Sequence, residues 1–217
     1  ALFYYDYDDL QITQLINDVE ITENAAKATL WGVEAEFIAL PFEALLLSAN
    51  FSYLSAEFDE FLSVDAADPF KGDIVCDQTR FKPMTGDAIE GTKCQDLSGN
   101  TMIRAPEYSM TLTAQYTWEL GRYGTLTPRV QFYASDDVWY RPYNDPTTDK
   151  QDNYTRTDIR VTWMSEDRHF SIEGFVDNLF DEDVKQSVFL GSSFLGFPAQ
   201  AVYDPPRTTG VRIGLRW

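Results

Sequence analysis

Apolar and polar residues alternate along much of this chain. Over 108–119 one face carries Tyr108, Met110, Leu112, Ala114, Tyr116 and Trp118, and the other carries Ser109, Thr111, Thr113, Gln115, Thr117 and Glu119. A period of two sends successive side chains to opposite faces of a β-strand. The pattern returns at the C-terminus, where Val211, Ile213, Leu215 and Trp217 oppose Gly210, Arg212, Gly214 and Arg216. Leu126, Pro128, Val130, Phe132 and Ala134 oppose Thr125, Thr127, Arg129 and Gln131, with Tyr133 out of phase. Trp31, Val33, Ala35 and Phe37 oppose Gly32, Glu34 and Glu36, with Leu30 out of phase. Leu45, Leu47, Ala49, Phe51 and Tyr53 oppose Ser48, Asn50 and Ser52, with Leu46 out of phase. Segments 157–164 and 170–177 continue the theme less cleanly. A helix over 18–28 is the weaker reading of that segment, because Ile21-Thr22 and the strand that follows oppose it. The chain is therefore all-β, with about eight strands near 1–15, 22–39, 44–58, 105–119, 124–138, 154–164, 169–180 and 203–217.

The connections add a second signal. Those at 40–43, 120–123 and 165–168 are short and rich in turn formers, among them Pro41, Gly121 and Ser165-Glu166-Asp167-Arg168. Those at 59–104, 139–153 and 181–202 are long, and 16–21 is intermediate. Long and short connections alternate, so one end of the sheet carries the elaboration. Transmembrane β-barrels have this asymmetry.

Alternation alone does not say which face is inside. A soluble barrel turns its apolar face inward and a membrane barrel turns it to lipid. Here the polar face carries bulky charges, among them Glu34, Glu36, Arg129, Arg156, Asp158, Arg160 and Arg212, with Glu173 and Arg216. These suit a wet or protein-filled lumen. Trp31, Phe51, Tyr53, Trp118, Trp163 and Trp217 lie toward strand ends of the apolar face, where interfacial girdles form. The reading is a transmembrane antiparallel β-barrel segment. The chain also starts within a strand, which reads as a fragment of a longer protein.

Composition narrows the chemistry. The 217 residues hold 35 acids and 17 bases, a net charge of −18, so binding of nucleic acid through bulk charge is excluded. His169 is the only histidine, and Cys76 and Cys94 are the only cysteines. No metal centre, cofactor site or Cys/His nucleophile pair is expected from that inventory. Carboxylates on the polar face raise a glycosidase or protease reading, but no acid/base pair is singled out, so an enzyme is not expected.

Four stretches resemble the C-terminal half of the barrel in TonB-dependent outer-membrane receptors. They are Asn24-Ala25-Ala26-Lys27-Ala28-Thr29-Leu30-Trp31-Gly32-Val33-Glu34-Ala35-Glu36, Ala105-Pro106-Glu107-Tyr108-Ser109, Asp177-Asn178-Leu179-Phe180-Asp181, and the run from Pro205 to Trp217. Their order and spacing cover nearly the whole chain. The resemblance implies that residues 1–217 are the last eight strands of a roughly 22-stranded barrel closed by a plug domain. It also implies active uptake of a scarce nutrient, most often a ferric siderophore or other iron chelate, energised through the TonB complex. Partners would be outer-membrane lipid and lipopolysaccharide, the rest of the barrel, the plug, the TonB complex and the small-molecule ligand. The location would be the bacterial outer membrane. Trp217 would be the terminal aromatic that resembles an assembly signal, where Phe is commoner. The runner-up is a complete eight-stranded barrel acting as anchor or adhesin; a soluble ligand-binding barrel is a third reading.

Further expectations follow for the loops. Cys76 and Cys94 share the 59–104 connection, and an oxidising cell surface allows them to pair. Closing that loop would stabilise by about 3 kcal/mol in the chain-entropy model. Segment 57–100 holds ten acids and four bases without the spacing of a calcium loop, and reads as a solvated surface. Trp139, Tyr140, Arg141 and Tyr143 are the candidate extracellular ligand contacts, able to stack on and pair with an aromatic, anionic chelate. Their other reading is continuation of the aromatic girdle.

Overall fold

The computed structural model describes residues 1–16, 19–65, 71–75, 93–190, 196 and 198–216. Eight antiparallel strands form one sheet in chain order: β1 (Leu2–Ile16), β2 (Val19–Phe42), β3 (Leu45–Glu60), β4 (Tyr108–Tyr116), β5 (Thr125–Ser135), β6 (Tyr154–Met164), β7 (Phe170–Asp177) and β8 (Thr208–Leu215). Trp118–Glu119 resumes pairing with β5 after a break at Thr117. Each strand pairs with the next, and no pairing joins β1 to β8 among the described residues. The sheet is open, so the described residues do not form the closed eight-stranded barrel of the runner-up reading.

The register keeps the predicted faces together across the sheet. Glu34 sits opposite Ser52, Ser52 opposite Ser109, Gln131 opposite Asp158, and Glu173 opposite Arg212. On the other face Val33 meets Tyr53, Leu112 meets Phe132, Val130 meets Ile159, and Ile172 meets Ile213. Apolar side chains of this second face stay exposed, Val211, Ile213 and Leu215 among them. A soluble sheet would cover such a face; a lipid-facing one leaves it bare. Near the short turns its aromatics cluster: Phe42 against Tyr116 at 6.1 Å, Tyr116 against Trp118 at 5.1 Å, and Trp163 against Phe170 at 5.8 Å. Trp31 meets Tyr53 at 5.3 Å in a second band. Along β3 the two bands lie about 27 Å apart, close to the ~25 Å apolar band of a barrel once strand tilt is allowed for.

Glycine sets the last pairing. Gly210 of β8 lies opposite Phe175 of β7, and the Phe175 ring lies across it. A Cβ at position 210 would come within 2.6 Å of that ring.

The structure departs from the sequence reading most clearly in three places. The expected connection at 16–21 is mostly strand: β1 reaches Ile16, β2 starts at Val19, and those two residues face each other. The last strand was expected from 203, but Ala199–Tyr203 pairs with Lys185–Leu190 in a separate hairpin. Pro205 and Pro206 part that hairpin from β8, since proline has no N–H for a ladder. The 59–104 connection contains short paired segments, Leu62–Ser63 and Ile74–Val75 against Lys93–Asp96.

Candidate functional site

The site region is the polar face of the sheet and the loops at its elaborated end. β2 and β3 have 24 and 16 residues, longer than the ~9–11 that cross a bilayer. Their outer ends therefore stand beyond the apolar band. There the polar face changes character. Below Gly32 it shows Glu34 and Glu36; above it come Leu30, Ala28 and Ala26 from β2, and Ala56 and Phe58 from β3. Leu30, out of phase in the sequence, marks the start of this switch. Phe61, Leu97, Met102 and Tyr143 pack onto these residues, and Phe61 and Leu97 are fully buried. The first two long loops thus fold over the polar face and share one small core with it. We call this unit the ledge.

Polar contacts lock the ledge. Arg141 donates to Asp65 and, at 3.0 Å, to Asp149, and the Asp149 side chain is fully buried. Its guanidinium lies 4.6 Å from the centre of the Tyr143 ring. The Tyr143 hydroxyl donates to the Val64 carbonyl at 2.6 Å and lies 2.8 Å from the Ser63 hydroxyl. Burial pushes the Tyr143 phenol well above its ordinary range. Asn144, in the left-handed region at φ 51°, accepts from the Thr101 N–H at 2.8 Å and donates to the Thr101 carbonyl at 3.1 Å. Asn100 donates to the Pro142 carbonyl at 2.9 Å. The Thr147 N–H and then Lys71 hold the Asp145 carboxyl below its usual range.

All four expected ligand contacts have partners within the chain, Arg141 two carboxylates and Tyr143 the ledge core. Trp139 carries the Lys150 ammonium 5.6 Å from its ring centre. Tyr140 donates to the Lys185 carbonyl, joining the second long loop to the third, and burial raises its phenol. Beside it on the polar face stand Tyr133 and Tyr154, rings 5.7 Å apart. Sequence reasoning passed over this pair. Its signal was the phase break at Tyr133, which puts an aromatic on the charged face.

The charged residues of the polar face divide into paired and unpaired. Arg156 reaches Asp158 at 3.2 Å and Asp204 at 3.4 Å. Arg160 reaches Asp177 at 3.2 Å, and Arg212 reaches Glu173 at 2.8 Å. Glu34, Glu36 and Arg129 have no ion pair among the described residues; Arg129 donates only to Gln131, at 2.9 Å.

The Asp177-to-Asp181 stretch has a local explanation. Asn178 and Asp181 adopt φ of 55° and 60°. The buried Asn178 side chain both donates to the Glu182 carbonyl and accepts from the Glu182 N–H, each at 2.9 Å. The Asp181 carboxylate accepts from the Arg207 N–H at 2.7 Å. Together they turn the chain out of β7 and bring it back to β8.

Cys94 is buried in the ledge, with no free cysteine among the described residues. Its expected partner Cys76 lies outside the described residues, as does Trp217. No group of metal-binding side chains occurs among the described residues.

A sequence profile described as TonB dependent receptor-like, beta-barrel, matches residues 1–179. No curated protein matches the chain. Among solved structures, the chain resembles the ferric yersiniabactin uptake receptor FyuA from Yersinia pestis, at 20% identity and a TM-score of 0.70, over 99% of this chain and 26% of that one. It also resembles the siderophore receptor PiuA from Acinetobacter baumannii, at 16% identity and TM-score 0.65, over 99% and 25%. A third is BauA, the ferric preacinetobactin receptor from Acinetobacter baumannii, at 14% identity and TM-score 0.57, over 99% and 25%. The chain spans about a quarter of the length of these receptors.

Proposed function

The chain belongs to the TonB-dependent receptor family, and from that premise we propose that it is the C-terminal part of an outer-membrane transporter barrel that imports a ferric siderophore or other iron chelate. The family consists of outer-membrane transporters rather than enzymes. The observation that carries the reading is the open sheet with one bare apolar face and one charged face, its long loops gathered at one end. Residues 1–217 supply one stretch of the barrel wall; the plug and the remaining strands come from elsewhere in the full-length receptor. Glu34, Glu36, Arg129, Arg156, Asp158, Arg160 and Arg212 face the lumen, and lipid and lipopolysaccharide surround the opposite face. Energy comes through the TonB complex. Ligand meets the wall beneath the ledge, where Tyr133 and Tyr154 offer stacking surface beside Trp139 and Tyr140. Cys76 pairs with Cys94 to hold the first long loop, and Trp217 serves assembly.

Iron chelate is favoured over other nutrients because the three receptors above take ferric chelates or siderophores by name. The experiment is growth under iron limitation with the gene deleted, followed by uptake of radioactive iron as defined chelates. Loss of uptake for one chelate, restored by the full-length gene and reduced at least tenfold by Tyr133→Ala with Tyr154→Ala, supports the proposal. Unchanged growth and uptake in the deletion strain end it.

A further inference from the structure

Loops above a sheet are ordinarily its most mobile parts, each free to move by itself. Here the long connections are tied to one another. The first and second meet in the ledge, through Arg141, Tyr143, Asn144 and Asn100. The neck of the second is a short ladder, Val138–Trp139 against Lys150–Gln151. Two adjacent residues at that neck bond to different loops. The Trp139 carbonyl accepts from the Arg104 N–H at 2.8 Å, at the end of the first loop. The Tyr140 hydroxyl donates to the Lys185 carbonyl, at the root of the third.

Every polar group of Lys185 bonds to the second loop. Its carbonyl accepts from Tyr140, its N–H donates to the Gln151 side chain at 2.9 Å, and its ammonium donates to the Lys150 carbonyl at 2.7 Å. Gln151 is buried and donates onward to the Asp152 carbonyl at 2.9 Å. The neighbouring Val184 is buried too, and its carbonyl accepts from the Asp204 N–H at 2.8 Å. The Asp204 carboxylate reaches Arg156 of the wall at 3.4 Å. The outer hairpin, Lys185–Leu190 against Ala199–Tyr203, therefore has one foot on the second loop and one on β6. Among the described residues, no hydrogen bond or ion pair runs from 187–190 or 199–203 to the first two loops.

We propose that the three long loops move as one body, with Lys185 as the clasp between the second and the third, so that the wall at Tyr133, Tyr140 and Tyr154 is a preformed surface. Opening one loop alone would strip partners from polar groups that lie partly buried at a joint, and such groups are costly to leave unpaired. A surface already in order does not have to be ordered by what it binds, which favours affinity. The proposal rests on the reading of this wall as the place where ligand is met, but its tests contain no ligand.

The first test uses the full-length receptor in lipid nanodiscs, spin-labelled at exposed positions. Ile103→Cys with Thr147→Cys reports on the first joint, and Thr147→Cys with Gln200→Cys on the second. Electron–electron distance measurement should give one narrow distribution for each pair. Gln151→Leu with Lys185→Met should widen the second about twofold or more and leave the first unchanged, which also shows that the variant's ledge is folded. Lys185→Arg, which still brings a donor to the Lys150 carbonyl, should keep the second distribution narrow. A second distribution that is already broad or split in the unvaried loops overturns the proposal, and so does a double variant as narrow as its parent. Hydrogen exchange in the wild-type receptor needs no substitution. The Arg104 and Lys185 amides, one at each joint, should have protection factors within about tenfold of each other. A Lys185 factor lower than that means the third loop opens alone, which overturns the proposal. Both measurements read the same whether or not the iron experiment succeeds, so the two failures are distinguishable.

Discussion

Below Gly32, β2 presents Glu34 and Glu36 to the polar face, while above it the same face carries Leu30, Ala28 and Ala26. In the lower region few side chains are fully buried on either side, most being half-buried or exposed, and cohesion comes from backbone ladders, cross-strand contacts and the surroundings of the apolar face. In the upper region two long loops cover the face and supply a small core, fully buried Phe61 and Leu97 included, with the Arg141–Asp149 pair beside it through the Tyr143 ring. The lower wall is a membrane structure and the ledge is a water-soluble one, built on a single pair of strands. The difference teaches that side-chain effects should depend on height along the strand as much as on face.

The sharpest way to separate the two regions is to remove Arg141. Arg141→Ala takes the shared cation from Asp65 and from the fully buried Asp149. Breaking a buried pair in this way costs about 3–5 kcal/mol. The loops of the full-length receptor should become sensitive to protease at 61–65 and 139–151, while the heat-modifiable migration of the barrel is unchanged. Loops that remain resistant would erase the distinction.

The next effect belongs to the wall. Phe132→Arg on the apolar face should cost ~2–4 kcal/mol, measured by urea titration in lipid vesicles. Its neighbour Gln131→Arg, on the polar face, should cost far less. Equal tolerance would contradict the assignment of faces.

Tyr143→Phe removes a hydroxyl that bonds Val64 and contacts Ser63, a loss of about 1–2 kcal/mol confined to the ledge. The same group gives the ledge a pH dependence. Burial raises the Tyr143 phenol above its ordinary 10.0, so the folded state favours the neutral form. Its contribution is complete below pH 10 and is lost as pH rises beyond it, because the opened loop ionises first. Hydrogen exchange at 61–65 should accelerate above that pH in the wild type, and the added acceleration should vanish in Tyr143→Phe.

The smallest effect is expected at Arg212, whose side chain is 65% exposed beside Glu173. Arg212→Ala should cost about 0.2–1 kcal/mol in the same urea titration.

The wall was legible in the sequence because most of its strands repeat the same local rule: alternation marked five strands cleanly and two more loosely, although the last begins at Thr208 and not at 203. The ledge was not. Leu30 and Tyr133 registered only as phase errors, since the reason for each lies in segments far along the chain. Phe61, Leu97 and Met102 sit in a loop with no period to read. Arg141 looked like a ligand contact because an exposed arginine among aromatics is the local picture; Asp65, its partner, is 76 residues away. The Asp177-to-Asp181 motif was noticed by likeness, and its cause, an asparagine in the left-handed region capping its own turn, emerged only from the backbone.

The glycine beneath Phe175 bears on how the chain avoids a particular mistake. A strand that slips by one residue exposes the wrong face and is penalised along its whole length. A slip by two keeps every face correct, so alternation gives no protection against it. With Gly210 in place, the ring of Phe175 has one flat seat; moved by two, it would meet Thr208 or Arg212, both with side chains where the ring must lie. The β7–β8 hairpin thus carries a key against a slip by two, and proofreading of that pairing is written into one missing methyl group.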